Sequence, residues 1–162
     1  MTEQDPAPLR HVELLETNKP QQERAIKTYE AILTAAGELL VEVGMERIST
    51  NLIAEKAGIT VPALYRYFPN KYSVLNALGA RLTDAKNLAF LTWHQEFVAG
   101  KPPGSMLDNL ESMLQATLDA TTSIVGGPEI VRCMEALAPL RETRAKNHWA
   151  VAEAFGQIWA QQ

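Results

Sequence analysis

The sequence predicts an all-α fold, and three observations predict it. Apolar residues recur at intervals of three and four along most of the chain, the period of an amphipathic helix. No stretch alternates apolar and polar residues as a half-buried strand does. Glycine and proline divide the periodic runs at Gly44, Gly58, Pro69, the AGKPPG stretch over 99–104 and Gly126-Gly127-Pro128. There is no internal repeat and no low-complexity tract.

Composition narrows the class. At 162 residues, 46 % hydrophobic and 21 % charged, the chain can bury a core as one or two small domains. No apolar run approaches the roughly 20 residues of a membrane span. The first twenty residues carry Glu3, Asp5, Glu13 and Glu16 and no continuous apolar core, so no signal peptide is expected. A single cysteine, Cys133, cannot form an internal disulfide, and the expected location is the reducing cytoplasm.

Residues 1–22 contain Pro6, Pro8 and Pro20, show little periodicity and read as a mobile tail. The first firm helix is expected over 24–43. Ile26, Tyr29, Leu33, Ala36, Leu40 and Val43 form its stripe, and Gly44 is the residue that ends it. Ser49 and Thr50 then act as N-caps for a short helix reaching Ala57. Gly58 reverses the chain, because glycine accepts positive φ without steric cost. Thr60 caps a second short helix, with Pro62 in its first turn, where a missing N–H loses nothing. Val61, Leu64, Tyr65 and Phe68 run along it until Pro69-Asn70, with Leu64 and Phe68 assigned to the core. Two short helices joined by a tight turn form a helix-turn-helix, the motif that lays its second helix in the DNA major groove.

A long helix follows over 71–97, with Leu75, Leu78, Leu82, Ala85, Ala89 and Trp93 as its stripe. Ser105 is the expected cap of the next helix. Its apolar face is read as Met106, Leu107, Leu110, Met113, Leu114, Thr117, Leu118 and Thr121. A shorter helix is expected over 129–138, interrupted at Pro139. A last one is expected over 141–160, with Ala152, Phe155 and Trp159 on one side.

The segment 48–71 resembles the DNA-binding domain of the tetracycline-repressor (TetR) family of bacterial regulators. The matching features are Ser49-Thr50, Ile53-Ala54, Ala57-Gly58-Ile59-Thr60, Leu64-Tyr65, Tyr67-Phe68, Lys71 and Leu75. The likeness runs from about Arg24 to about Leu82. Tyr72 departs from it, since the family often has an acidic residue there. The resemblance implies a three-helix DNA-binding domain over 23–82 and a helical ligand-binding and dimerisation domain over 83–162. It further implies a repressor, a homodimer on a palindromic operator in double-stranded DNA, and a small effector that releases it.

Net charge is −4, yet no Asp or Glu occurs from Lys56 to Thr83, where Lys56, Arg66, Lys71 and Arg81 are basic. A positive face is expected there. Thr50 and Lys71, at helix starts, are assigned to phosphate, and Tyr65 resembles the family tyrosine that bonds a phosphate. Thr60, Val61, Pro62 and Ala63 open the second helix and suit contact with thymine methyls. Arg66 can reach a guanine or a phosphate. Ser49 and Tyr67 complete the candidate set, with local packing the competing role for the tyrosines.

For the effector, the candidates are Met113, Thr117, Thr121, Cys133, Met134, Trp149 and Phe155, with ordinary core as the bland reading. A methionine-rich, aromatic lining suits an apolar or aromatic ligand. Enzyme chemistry has no support. His11, His94 and His148 are scattered, no metal-spaced cluster or glycine-rich phosphate loop occurs, and Cys133 reads as a small core residue. No cofactor, metal or membrane is expected.

Two further expectations concern the end of the chain. The family pattern usually has two more helices than are counted here, and the last helix, closing on Ile158-Trp159 without a cap, reads as cut rather than finished. The alternative is a short regulator that dimerises through Phe155, Ile158 and Trp159. The competing function is a helical protein–protein interaction module that kept the fold and lost DNA binding.

Overall fold

The structure, a computed structural model, describes residues 20–100, 109–137 and 140. Its described elements are helices α1 (Glu23–Glu42), α2 (Gly44–Arg47), α3 (Thr50–Lys56), α4 (Val61–Tyr65), α5 (Lys71–Val98), α6 (Leu110–Thr122) and α7 (Gly127–Ala136). No strand occurs among the described residues.

Helix α1 follows its predicted stripe through the middle. Leu33, Ala36 and Leu40 are buried, and Tyr29 and Val43 pack at the edge of the core. Ile26 departs from the expectation, being 42 % exposed. It lies in the first turn of α1, before the buried run that begins at Ile32. Gly44 does more than stop α1: it opens the extra turn α2, which periodicity could not reveal because four residues are too few to show it. Ile32, Ile53, Leu64 and Phe68 meet at zero exposure where α1, α3, α4 and the start of α5 converge. Tyr29 stacks on Phe68 at 5.2 Å and meets Tyr67 edge-on at 6.4 Å.

Asn70, expected to end the second short helix, instead starts the long one. Its side chain accepts from the Ser73 N–H at 3.0 Å while Ser73 Oγ accepts from the Asn70 N–H at 3.3 Å, a reciprocal capping box. Tyr72, the departure from the family pattern, leaves this start intact and lies under the Lys71 ammonium, 5.6 Å from the ring centre. Leu75, Leu78, Leu82 and Trp93 are buried as predicted, while Ala85 and Ala89 are half-buried.

Helix α6 reverses an expectation. Leu110, Leu114 and Leu118, placed on the apolar face, are 42–56 % exposed. It packs on α5 through other residues: Ser112 Oγ accepts from the Trp93 indole N–H at 2.8 Å, and Thr121 is buried. Residues at i, i+4 and i+8 share one side of a helix, so the three leucines face away together.

Helix α7 is keyed to α1 and α5 by glycine. A Cβ at Gly126 would lie 2.5 Å from the Gly37 carbonyl oxygen, and one at Gly37 would lie 2.7 Å from that of Val125. The two backbones therefore touch. A Cβ at Gly79 of α5 would strike the Met134 sulfur, so Met134 occupies the room that glycine leaves. The expected tail over 1–22, other than residues 20–22, lies outside the described residues. So do the Ser105 cap, the break at Pro139, the helix over 141–160 and its apolar end.

Candidate nucleic-acid interface

The start of α3 is built by Ser49, whose Oγ accepts from the Leu52 N–H at 3.3 Å. That hydroxyl is engaged within the helix, which makes Ser49 a cap first. The end of α3 is a Schellman turn: the Ile59 N–H reaches the Ala54 carbonyl at 3.0 Å and the Gly58 N–H reaches that of Glu55 at 3.1 Å. Gly58 has φ +67, which only glycine adopts cheaply. Two residues later Thr60 Oγ1 accepts from the Ala63 N–H at 3.3 Å and starts α4. Ile53 and Leu64, both at zero exposure, hold the two helices to the core.

α4 is shorter than expected. It ends at Tyr65, and Phe68 enters the core from the turn beyond it rather than from the helix. Thr60, Pro62, Tyr65 and Arg66 are exposed, while Val61 and Ala63 are half-buried. Val61 packs in part against the core and Tyr67 against Tyr29, and both keep some exposure.

Two of the residues assigned to phosphate meet. Thr50 Oγ1 and Tyr65 Oη lie 3.2 Å apart, linking the first turn of α3 to the last residue of α4. Lys71 Nζ donates to the Ile48 carbonyl at 3.1 Å, tying the start of α5 to the residue before the Ser49 cap. An ammonium has three N–H donors, so this bond positions the charge without using all of it.

The basic run divides in two. Lys56 pairs with Glu42 at 2.7 Å and Glu38 at 3.3 Å, and Arg81 pairs with Glu30. Both cations therefore face acids of α1. The hydrogen bond to Glu42 is the main cause that raises the Lys56 ammonium above its ordinary value; burial opposes it, and Glu38 adds to it. Lys71 instead bonds the Ile48 carbonyl. No local signal announced the Lys56 pairs, because fourteen or more residues separate the partners.

The effector candidates are spread out. Cys133 and Met134 are buried, and Met113 and Thr117 are half-buried. The Thr117 and Thr121 hydroxyls return to carbonyls of their own helix, at 2.8 and 3.0 Å. Trp149 and Phe155 lie outside the described residues. A half-open cavity of about 380 Å³ lies elsewhere, between α1, α2 and α7, and among these candidates only Cys133 lines it. Among the described residues no group of three or more His, Cys, Asp or Glu is placed to hold a metal ion. No described helix is long and apolar enough to cross a membrane.

Fold and site together define a helix-turn-helix unit carried on a supporting helix and joined by a long helix to further helices. Residues 32–78 match the family described as bacterial regulatory proteins, tetR family. The likeness to that family is therefore one of this segment, which holds the helix-turn-helix. It is 49 % identical over 50 residues to the class C tetracycline repressor protein of Escherichia coli, covering 31 % of this chain and 23 % of that protein. It is 28 % identical over 158 residues to the HTH-type transcriptional repressor KstR of Mycolicibacterium smegmatis, covering 88 % and 76 %. It is 38 % identical over 64 residues to the nucleoid occlusion factor SlmA of Haemophilus ducreyi, covering 40 % and 30 %. The chain thus spans less than a quarter of the tetracycline repressor it matches.

Proposed function

We propose that this protein is a DNA-binding transcriptional regulator acting as a repressor, with α4 in the major groove. The observation that carries this reading is the meeting of Thr50 and Tyr65, in a unit that matches the tetR family and in which Lys71 bonds the Ile48 carbonyl before the Ser49 cap. Phosphate contacts set register and base contacts set sequence. Thr50, Tyr65 and Lys71 take the first role. Thr60, Pro62 and Arg66, exposed along α4, take the second, with Val61 and Ala63 offering apolar contact at its start. The name of the KstR relative supports repression. A homodimer on a palindromic operator, with half-sites about 34–36 Å apart, fits a helix-turn-helix protein. A small apolar effector acting through the later helices, in the cytoplasm, completes the proposal, and no enzymatic step belongs to it.

The test is binding to duplexes from the gene's own upstream DNA across a salt series. Arg66→Ala is expected to weaken operator binding by about 1–3 kcal/mol and relax preference at one base pair. Lys71→Ala is expected to weaken all duplexes alike and lower the salt slope by about one. Tyr65→Phe keeps the ring and removes the hydroxyl, so it too should weaken every sequence equally. Titrations unchanged in all three variants would remove this face from consideration.

A second reading, a helical protein–protein module without DNA binding, draws on the pairing of Lys56 and Arg81 with acids of α1 and on the net charge of −4. Salt-dependent duplex binding separates the two, because counterion release gives a steep slope only when phosphates are neutralised.

A further inference from the structure

Thr50 opens α3 and Tyr65, fifteen residues on, closes α4, and their side-chain oxygens lie 3.2 Å apart. The two differ in exposure: Tyr65 is 47 % exposed and Thr50 is half-buried. Both are phosphate contacts in the function proposed above. We propose, resting on that DNA-binding reading, that only Tyr65 touches the phosphate and that Thr50 is a positioning residue acting through the Tyr65 hydroxyl.

The count of donors carries the division. Each hydroxyl has one O–H to donate and can accept twice. Two hydroxyls bonded to each other spend one of their two protons on that bond, so the pair offers a single O–H to an outside acceptor. A phosphate oxygen can only accept. With the bond kept, one residue donates to phosphate and the other donates to its partner. Tyr65 takes the outer place, being the more exposed of the two. A phenolic O–H, the more acidic type, is also a stronger donor than an aliphatic one. The Thr50 proton then turns to the phenol oxygen, and a hydroxyl that accepts one bond donates the next more strongly.

The place of each residue in its helix fits these roles. Thr117 and Thr121 of α6 bond back to carbonyls of their own helix. Thr50, as the first residue of α3, has no carbonyl of that helix a turn before it, so its hydroxyl is left to reach across. Capping does not call on it either, because Ser49 Oγ already takes the Leu52 N–H. A β-branched side chain is stiff about χ1, which makes Thr50 a fixed anchor. Tyr65 ends a helix of five residues with its side chain largely in solvent, while its neighbour Leu64 is fully buried and Tyr67 leans on Tyr29. The bond to Thr50 holds the outer end of the Tyr65 ring.

The test uses the full chain and the tightest-binding duplex from the gene's own upstream DNA. Tyr65→Phe is expected to weaken binding about tenfold or more, the worth of one hydrogen bond to a charged group. Thr50→Val keeps the branched shape and should weaken binding several-fold, whereas Thr50→Ser keeps the hydroxyl and should stay near wild type. In the Tyr65→Phe background, Thr50→Val should cost nothing further. In the free protein with ¹³C-labelled tyrosine rings, Thr50→Val should move the Tyr65 signal and leave that of Tyr72 in place, and Thr50→Ser should restore it. Losses that multiply in the double variant would mean two separate phosphate contacts and overturn the division. So would a Tyr65 signal that Thr50→Val does not move, or a Thr50→Ser that binds no better than Thr50→Val. A wild type with no salt-dependent duplex binding brings down the DNA-binding reading and this proposal together. Salt-dependent binding with multiplying losses leaves that reading standing and removes only the division of roles.

Discussion

Two regions of this molecule use hydroxyl and apolar residues in opposite ways. In the helix-turn-helix, Ser49 and Thr60 sit at helix starts and bond the orphan N–H groups there, while Thr50 reaches across to Tyr65. In α6, Thr117 in the middle and Thr121 and Thr122 in the last turn all bond back to carbonyls of their own helix. The apolar residues divide likewise. Ile53, Leu64 and Phe68 are fully buried, whereas Leu110, Leu114 and Leu118 are largely exposed. A hydroxyl at a helix start meets free N–H groups or another helix; one later in the helix meets the carbonyl a turn before it first. An apolar stripe says that a helix has a face, not which neighbour covers it.

The sharpest contrast comes from truncating the best-covered side chain. Phe68→Ala removes a ring with zero exposure, stacked on Tyr29, and is expected to cost about 3–5 kcal/mol in denaturant unfolding. A loss below about 1 kcal/mol would mean that the three-helix core is looser than its packing shows.

Next in size is the junction between the two regions. Gly37→Ala puts a methyl 2.7 Å from the Val125 carbonyl oxygen, a backbone atom that cannot swing away, and is expected to destabilise by about 1–3 kcal/mol. Hydrogen exchange should locate the loss in α7 and the turn before it. Protection lost in α3 and α4 instead would place the strain on the wrong side of the junction.

On α6 the expected effect is small. Leu114→Gln, at a position 56 % exposed, should change stability by no more than about 0.5 kcal/mol in the monomer. A loss of 2 kcal/mol or more, about that of burying a leucine, would show the face covered and would erase the contrast between the regions.

The smallest effect is one of pH. Lys56 is held above its ordinary value by Glu42 and Glu38. Its contribution is therefore fully present below the unfolded lysine value, about 10.4, and is lost as pH rises through the folded value. Between pH 7 and 10 the stability of wild type and Lys56→Met should run parallel, with the gap narrowing only above that. A gap that closes near neutral pH would assign the pair to another titrating group.

Much of this molecule was written locally. The caps Ser49 and Thr60, the glycine at Gly58 and Pro62 in the first turn of α4 depend only on near neighbours, so they could be read directly. The stripes of α1 and α5 were legible because long helices repeat their period several times. The Thr50 assignment came from its place at a helix start and the Tyr65 assignment from resemblance, and no local rule would have placed their oxygens 3.2 Å apart. What tertiary structure decided is what depends on distant neighbours. It moved Lys56 and Arg81 from the expected positive face to acids of α1, set Tyr67 against Tyr29, and left the α6 leucines outward. It also brought Gly37 against Gly126, 89 residues away, where two backbones touch because neither residue has a Cβ. Helix periods and caps arise from the backbone's own short-range sterics and hydrogen bonds. Pairing, covering and close approach arise only when helices far apart in the chain share one surface.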